Sequence, residues 1–361
     1  MLRGNVGEWS EPYVFLRLLG SGRIYAADSN LNRIENMYFP ILKVIGDAIN
    51  NGHFEYKLLG RSETVAIYFN DKEIKRLPAS QFQKEADTVY SSIYQAKLNK
   101  LRTFEIPEAE NFLNSIGHTK LKASNEQKAD INLQIHDINT GYEPIVGFSI
   151  KSELGSAPTL INASEATNFV YEVKGLTDSQ INEINSICTK YKIVERMSKI
   201  KACATGIRFD HMHNQTFASN LMMIDSNMPE ILAYALAIHY DTYVKDCSSV
   251  ISMVERANPL RYPRPGFYQY KFKKFLCAIA LGLVPSKIWN GTEEANGGYI
   301  IVTKTGDVLA YHIYNREFFE SYLLKNTIFE RASTSRHNYA TLYKVGGKTY
   351  LNLNLQIRFR T

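Results

Sequence analysis

The stretch Asp130–Ser156, DINLQIHDINTGYEPIVGFSIKSELGS, leaves its chain few ways to fold. Ile131, Leu133 and Ile135 alternate with Asp130, Asn132, Gln134 and His136, a period of two that makes one face apolar and the other polar. Asn139, Thr140 and Gly141 supply turn residues, and Pro144 resets the chain. Val146, Phe148 and Ile150 then point one way, and Ser149, Lys151 and Glu153 the other. The spacing predicts two strands, 130–136 and 145–153. If they pair, Asp130, Ser149 and Lys151 gather on one polar face. A carboxylate beside a lysine, backed by an apolar layer, suits a hard metal ion and an activated water. An ordinary amphipathic hairpin with a solvated polar face has the same pattern.

Upstream, Ser10, Glu11 and Pro12 read as a helix start, with Val14, Phe15 and Leu18 continuing an apolar stripe to Gly20 and Gly22. Val14 and Leu18 follow Glu11 at i+3 and i+7, so Glu11 heads that stripe. It is either a helix-dipole partner, contributing about 0.3–1 kcal/mol, or a carboxylate aimed at the polar face. Residues 30–50 read as a helix with Ile34, Met37, Tyr38, Ile41 and Ile45 on its apolar side. TVAIYF, 64–69, is a strand, and 80–101 and 107–116 are helices. FVYEV, 169–173, is expected to add to the sheet of the 130–153 pair. Helices follow at 178–188, 229–240, 244–256 and 317–326. GGYIIVTKTGDVLAYHIY, 297–314, is a hairpin, and a final strand pair turns at Gly346-Gly347. The fold class is α/β: a mixed sheet of 130–136, 145–153 and 169–173 flanked by helices, with helical and β-rich additions. Residues 1–215 would hold the N-terminal helices and core sheet, and 216–361 a helical and β-rich DNA-binding part continuous with it.

A chain of 361 residues can bury a large core. It has no apolar run of about 18 residues, and MLRGNVGEWSEP lacks an apolar h-region. Neither a membrane nor secretion is expected. Cys188, Cys203, Cys247 and Cys277 are scattered without metal-ligand spacing, as expected of thiols in a reducing cytoplasm. The net charge of +6 is uneven. Residues 316–361 hold 8 Lys/Arg against 3 Asp/Glu, and 255–275 hold 6 against 1, leaving the remainder slightly acidic. Two basic segments on such a body suit a polyanion partner, although a solvated basic face would count the same. In NPLRYPRPGFYQYKFKKF, Arg261, Arg264, Lys271, Lys273 and Lys274 interleave with Tyr262, Tyr268 and Tyr270, as in a loop that follows phosphates or an amphipathic helix start. Near the C-terminus, Arg331 precedes STSRHN, whose Ser335, Arg336 and His337 offer donors to base edges or phosphates.

Two further patterns are weaker. His118 and Lys120 form an HxK without the second copy or downstream Asp of a phospholipase-D-type nuclease, and His211 and His213 lack further ligands at useful spacing. No GxxxxGK[ST] loop is present, which argues against a nucleotide hydrolase.

Asp130 and Lys151, with Ser149 where an acidic residue usually stands, form the skeleton of the PD-(D/E)xK nuclease signature. GFSIKSELGSAPTLINASEATNF strongly resembles the core block of restriction endonucleases of the HpaII family. GEWSEPYVFLRLL, YHIYNREFFESYLLKNTIFERASTSRHN and LNLNLQIRF extend the resemblance over nearly the whole chain. The resemblance implies a PD-(D/E)xK core and a type II restriction endonuclease that needs Mg²⁺ and cuts both strands of a short palindrome, CCGG for the family's namesake. It implies Asp130 as metal ligand, the Ile150 carbonyl as a second and Lys151 on the attacking water. Glu11 would supply the carboxylate that Ser149 lacks, with Glu153 and Glu165 as substitutes and Gln134 orienting a ligand water. Double-stranded DNA, a homodimer during cutting and a cognate methyltransferase without stable contact are the implied partners. A catalytically inactive or regulatory DNA-binding protein, or a structure-specific PD-(D/E)xK nuclease, are the alternatives.

Overall fold

The computed structural model describes residues 1–49, 52–60, 63–121, 129–138, 140–312, 316–331 and 339–360. They group into two units. One comprises Met1–Pro158 and Glu293–Tyr322, the other Thr159–Thr292 and Leu323–Arg360. The chain leaves the first unit after Pro158 and returns to it at Glu293.

The first unit is built on a nine-stranded mixed sheet. Its strand order is Arg23–Ala27, Val308–His312, Gly298–Val302, Ile145–Ser152, Ile131–Ile135, Arg33–Ile49, Gly52–Leu59, Thr64–Phe69 and Lys72–Pro78. Gly298–Val302 runs parallel to Ile145–Ser152, and Val308–His312 parallel to Arg23–Ala27; the other neighbours are antiparallel. The hairpin expected over 297–314 is present as Gly298–Val302 and Val308–His312, with its turn at Thr305–Asp307, where Gly306 adopts φ 87°.

Residues 33–49 are a strand, which corrects the helix expected over 30–50. The physical reason is in the sequence. Pro40 would remove a hydrogen bond from a helix interior and clash with the preceding turn, and the surrounding Ile, Tyr, Phe and Val residues suit a pleated sheet. Helix-like spacing arises because the strand changes partners midway. Its first half pairs with Arg23–Ala27 and its second with Ile131–Ile135 and Gly52–Leu59, with a register shift between Ile41 and Lys43. The strand pattern is broken at that shift.

One face of the sheet packs on the helices Val6–Ser21 and Ala79–Leu98. Trp9, Val14, Leu16, Leu18 and Leu19 from the first, and Phe82, Ala86, Val89 and Ile93 from the second, bury against Val44, Tyr56, Leu133 and Phe148. Each such large side chain contributes about 1.5–3 kcal/mol on burial. The two helices approach closely at Gly20, where a Cβ would stand 2.8 Å from the Gln83 backbone nitrogen. The first helix starts at Val6, a full turn before Ser10. Asn5 accepts from the Glu8 N–H and the Glu8 carboxylate accepts from the Asn5 N–H, a reciprocal cap. Ser10, Glu11 and Pro12 therefore lie within the helix.

In the second unit, Asn168–Lys174 forms the interior of a four-stranded antiparallel sheet, between Gly206–Met212 and Lys348–Asn354, with Leu342–Val345 at the edge. The 169–173 strand is thus real but does not join the sheet of 131–152, which corrects that expectation. Its two edges are taken instead by Gly206–Met212, the next strand in sequence, and by Lys348–Asn354, whose apolar Leu351 and Leu353 lie opposite Tyr171 and Phe169. A three-stranded antiparallel sheet of Thr159–Ile161, Ile357–Phe359 and Thr327–Phe329 and the helices Asp178–Ser186, Lys192–Cys203, Gln215–Ile224, Met228–Thr242, Cys247–Ala257 and Phe267–Leu281 also belong to the unit. Among the described residues no single helix is long and apolar enough to cross a membrane. None of the four cysteines forms a disulfide.

Candidate active site

Ile131–Ile135 and Ile145–Ser152 pair antiparallel with Ile131 opposite Phe148 and Asn132 opposite Gly147, so Asp130 comes to stand beside Ser149. Gly147 makes this approach possible. A Cβ there would lie 2.8 Å from the Ala129 Cβ and 3.1 Å from the Glu294 carbonyl. The Asp130 N–H donates to the Phe148 carbonyl at 2.8 Å, which fixes the residue just before its strand begins.

The Asp130 carboxylate is tethered through one oxygen. Oδ2 accepts from the Ile150 N–H at 2.6 Å and from the Ser149 hydroxyl at 3.0 Å. Lys151 Nζ donates to Ser149 Oγ at 2.6 Å and to the Ile150 carbonyl at 3.1 Å, and stands 3.9 Å from Asp130 Oδ2. Ser149, only 4 % exposed, therefore bridges the ammonium and the carboxylate. The Lys151 ammonium also lies over the ring of Tyr299 on the parallel neighbour strand, 5.2 Å from its centroid. Burial holds the Lys151 pKa below the usual lysine value, opposed by the negative charges of Asp130 and Glu11.

Glu11 reaches this place from the first helix. With Asp130 and Ile150 it lines one small cavity, which His118 and Lys120 also line. The helix is held there by Ser10, whose hydroxyl donates to the Val6 carbonyl and bonds Ser152 Oγ at 2.8 Å. His118 is stacked on Phe15 of the same helix, with ring centroids 4.5 Å apart. The HxK of 118–120, weak as a motif in its own right, thus borders the carboxylates. Nothing in its spacing from residue 130 signals that placement.

The oxygens brought together are two carboxylates and the Ile150 carbonyl. Among the described residues no three His, Cys, Asp or Glu side chains cluster as a ready metal cage. Mg²⁺ does not need one, since it keeps several waters and is held by one or two carboxylates plus substrate phosphate. The donor set fits a hard divalent ion of that kind.

The family model of the HpaII restriction endonuclease matches residues 5–359. The chain belongs to the HpaII restriction endonuclease family. It is similar to the type II restriction enzyme HpaII of Haemophilus parainfluenzae, with 39 % identity over 359 residues, 99 % of this chain and 98 % of that one. No solved structure matches. Family membership makes the chain a type II site-specific deoxyribonuclease, a class whose members generally use a divalent metal on DNA.

The other residues singled out in this HpaII-family sequence fall elsewhere. Gln134 donates to the Glu143 carbonyl at 3.1 Å. Glu153 lies near Tyr311 and Tyr322, whose hydroxyls burial pushes above the usual tyrosine range, with the Glu153 charge adding to the effect. Glu165 belongs to the second unit and pairs with His213 at 3.1 Å, while His211 pairs with Asp210 at 2.8 Å. Arg261 and Arg264 are exposed on the loop before the Phe267–Leu281 helix, and Arg264 lies 5.7 Å from the Phe267 ring centroid. Lys273 and Lys274 are half-buried on that helix, so the segment is a loop only to Gly266. Arg331 is engaged internally. It donates to the His239 carbonyl at 3.0 Å and lies 4.2 Å over Tyr243 and 5.6 Å over Tyr240. Ser335, Arg336 and His337 lie outside the described residues.

Proposed function

We propose that this chain makes Mg²⁺-dependent double-strand cuts at a short palindrome, CCGG by its family likeness, with a PD-(D/E)xK site in its first unit. The observation that carries the reading is the bonded series Asp130–Ser149–Lys151 beside Glu11 and the Ile150 carbonyl. Asp130, Glu11 and Ile150 would hold Mg²⁺, which when bound lowers the pKa of water and neutralises charge on the phosphate. Lys151 orients the attacking water by donating a hydrogen bond to its oxygen and offsets charge building on the phosphoryl oxygens. Ser149 keeps the ammonium aimed by accepting from it while donating to Asp130. The P–O bond to the leaving sugar oxygen breaks as the water oxygen attaches to phosphorus; the water's proton passes to solvent, and a solvent proton goes to the departing oxygen to give the sugar hydroxyl. Exposed Arg261 and Arg264, with Ser335, Arg336 and His337, are assigned to DNA contact, where Arg336 is suited to guanine O6 and N7. A two-fold target favours a homodimer at cleavage. A cognate methyltransferase protecting the same sequence and a cytoplasmic location complete the proposal.

The test is plasmid cleavage with Mg²⁺, wild type beside Lys151→Ala and Asp130→Asn, with fragment ends sequenced. Discrete cuts at CCGG, lost in both variants, are expected. Cuts at another palindrome overturn the target alone, and undiminished cutting by either variant overturns the site.

A further inference from the structure

The helix Ala79–Leu98 ends beside the site in a turn that carries three cations. Lys97 lies in its last turn, and Lys100 and Arg102 lie just beyond. All three are exposed. They line an open groove whose other lining residues include Glu11, Lys151 and Ser152. Among the described residues the side chains of Lys97, Lys100 and Arg102 make no ion pair or hydrogen bond. Elsewhere in the same unit Lys43 pairs with Glu55, Arg76 with Glu73 and Arg316 with Glu293, while the exposed Lys72, Lys84 and Lys304 make no side-chain ion pair among the described residues. What sets Lys97, Lys100 and Arg102 apart is that they share one groove with Glu11 and Lys151.

Ordinary helix-end chemistry explains only part of this. The macrodipole favours a cation within the last turn, which accounts for Lys97. Lys100 adopts φ 54°, the left-handed conformation that glycine takes at helix ends without penalty. A lysine there costs about 1 kcal/mol or more, so the site carries a cation where the backbone alone favours its absence. Lys97, Lys100, Arg102 and Lys151 share the groove with Glu8 and Glu11, an excess of positive charge next to the residues assigned to hydrolysis.

We propose that Lys97, Lys100 and Arg102 form a phosphate clamp that lays the DNA strand to be cut across Glu11 and Lys151. The inference rests on the nuclease reading for the strand's identity, but phosphate binding is measurable without catalysis. Phosphate contacts fix register on the duplex without reading bases, so the clamp serves any sequence and places the backbone for the site.

The experiment is fluorescence anisotropy of the full chain, without divalent metal, over a salt series. It uses duplexes of about 30 base pairs with and without CCGG. Each phosphate that the protein ceases to neutralise lowers the slope of log K against log salt by about 0.9. The variant combining Lys97→Ala, Lys100→Ala and Arg102→Ala is expected to lose close to ~3 units of slope on both duplexes. Lys100→Gly relieves the left-handed strain, so it is expected to melt no lower than wild type while losing about one unit. Lys100→Arg retains the slope. Slopes in the triple variant and in Lys100→Gly within about half a unit of wild type overturn the clamp. So does a reduced slope seen only in the triple variant together with a fall in melting temperature. The Mg²⁺ plasmid assay reports on the nuclease reading separately, and its failure leaves the slope comparison intact as the measure of the clamp.

Discussion

Replacing Ser149 with alanine isolates the hydroxyl that bridges Lys151 and Asp130, where the proposed PD-(D/E)xK site would ordinarily carry a carboxylate. The change removes a hydroxyl that accepts from Lys151 at 2.6 Å and donates to Asp130 at 3.0 Å. Hydrogen bonds to charged groups contribute about 1.5–3 kcal/mol each. Both ionic partners keep another bond, Lys151 to the Ile150 carbonyl at 3.1 Å and Asp130 from the Ile150 N–H at 2.6 Å. The net loss is therefore closer to one such bond than to two. At about 1.4 kcal/mol per decade, a loss of about 1.5–3 kcal/mol slows cleavage by roughly 10- to 150-fold. The assay is single-turnover cleavage of a saturating CCGG duplex at fixed Mg²⁺, repeated across pH. Without its acceptor the ammonium is less favoured, so the Lys151 pKa falls further and the alkaline loss of activity moves to lower pH. Ser149→Asp tests the same point from the other side. A third carboxylate strengthens the oxygen donor set, so the Mg²⁺ concentration for half-maximal rate falls. Cleavage by Ser149→Ala within about twofold of wild type, with an unmoved alkaline limb, would refute the bridging role.

Three further outcomes are expected. Lys151→Met abolishes cleavage while the protein stays folded. Because burial keeps the folded pKa of Lys151 below its unfolded value, the unfolded chain binds more protons in the window below the ordinary lysine pKa. Wild-type stability rises with pH there, and urea titrations of Lys151→Met show that rise reduced. Glu11→Gln removes a negative charge that favours the ammonium, so the alkaline limb of the cleavage profile shifts down in pH; an upward shift contradicts the placement of Glu11. Arg331→Ala lowers stability by about 2–3 kcal/mol, read by urea denaturation, because its guanidinium stacks on Tyr243 and bonds the His239 carbonyl. A change in DNA affinity alone, at unchanged stability, would return Arg331 to the DNA surface.

The hairpin of Asp130, Ser149 and Lys151 is legible in the sequence because period-two alternation is local and its register follows from one antiparallel pairing. Asp130, Ser149 and Lys151 meet as their spacing implies. Glu11 stands out through its position at the head of an apolar stripe, although its helix begins at Val6 and not at Ser10. Ser10 looks like a cap because hydroxyls favour that position, whereas its burial against Ser152 is a tertiary contact that no local pattern encodes. The strand 33–49 is masked by its change of partners, and Pro40 is the available signal against a helix. His118 and Lys120 reach the cavity because His118 packs on Phe15, a neighbour that only the fold brings close. The same holds for 169–173, whose sheet is completed by Lys348–Asn354.

The first unit is sewn from two distant pieces of chain, and its seam runs through the site. The strand Gly298–Val302 lies against Ile145–Ser152, Gly147 donates to Asn296, and Tyr299 sits beneath the Lys151 ammonium. A ribosome that has made the whole Asp130–Lys151 hairpin has still to translate well over a hundred residues before this support exists. Nascent and prematurely terminated chains thus carry Asp130, Ser149 and Lys151 without the strand that seats them. Only when that later strand is in place does Lys151 gain the ring of Tyr299 against its ammonium.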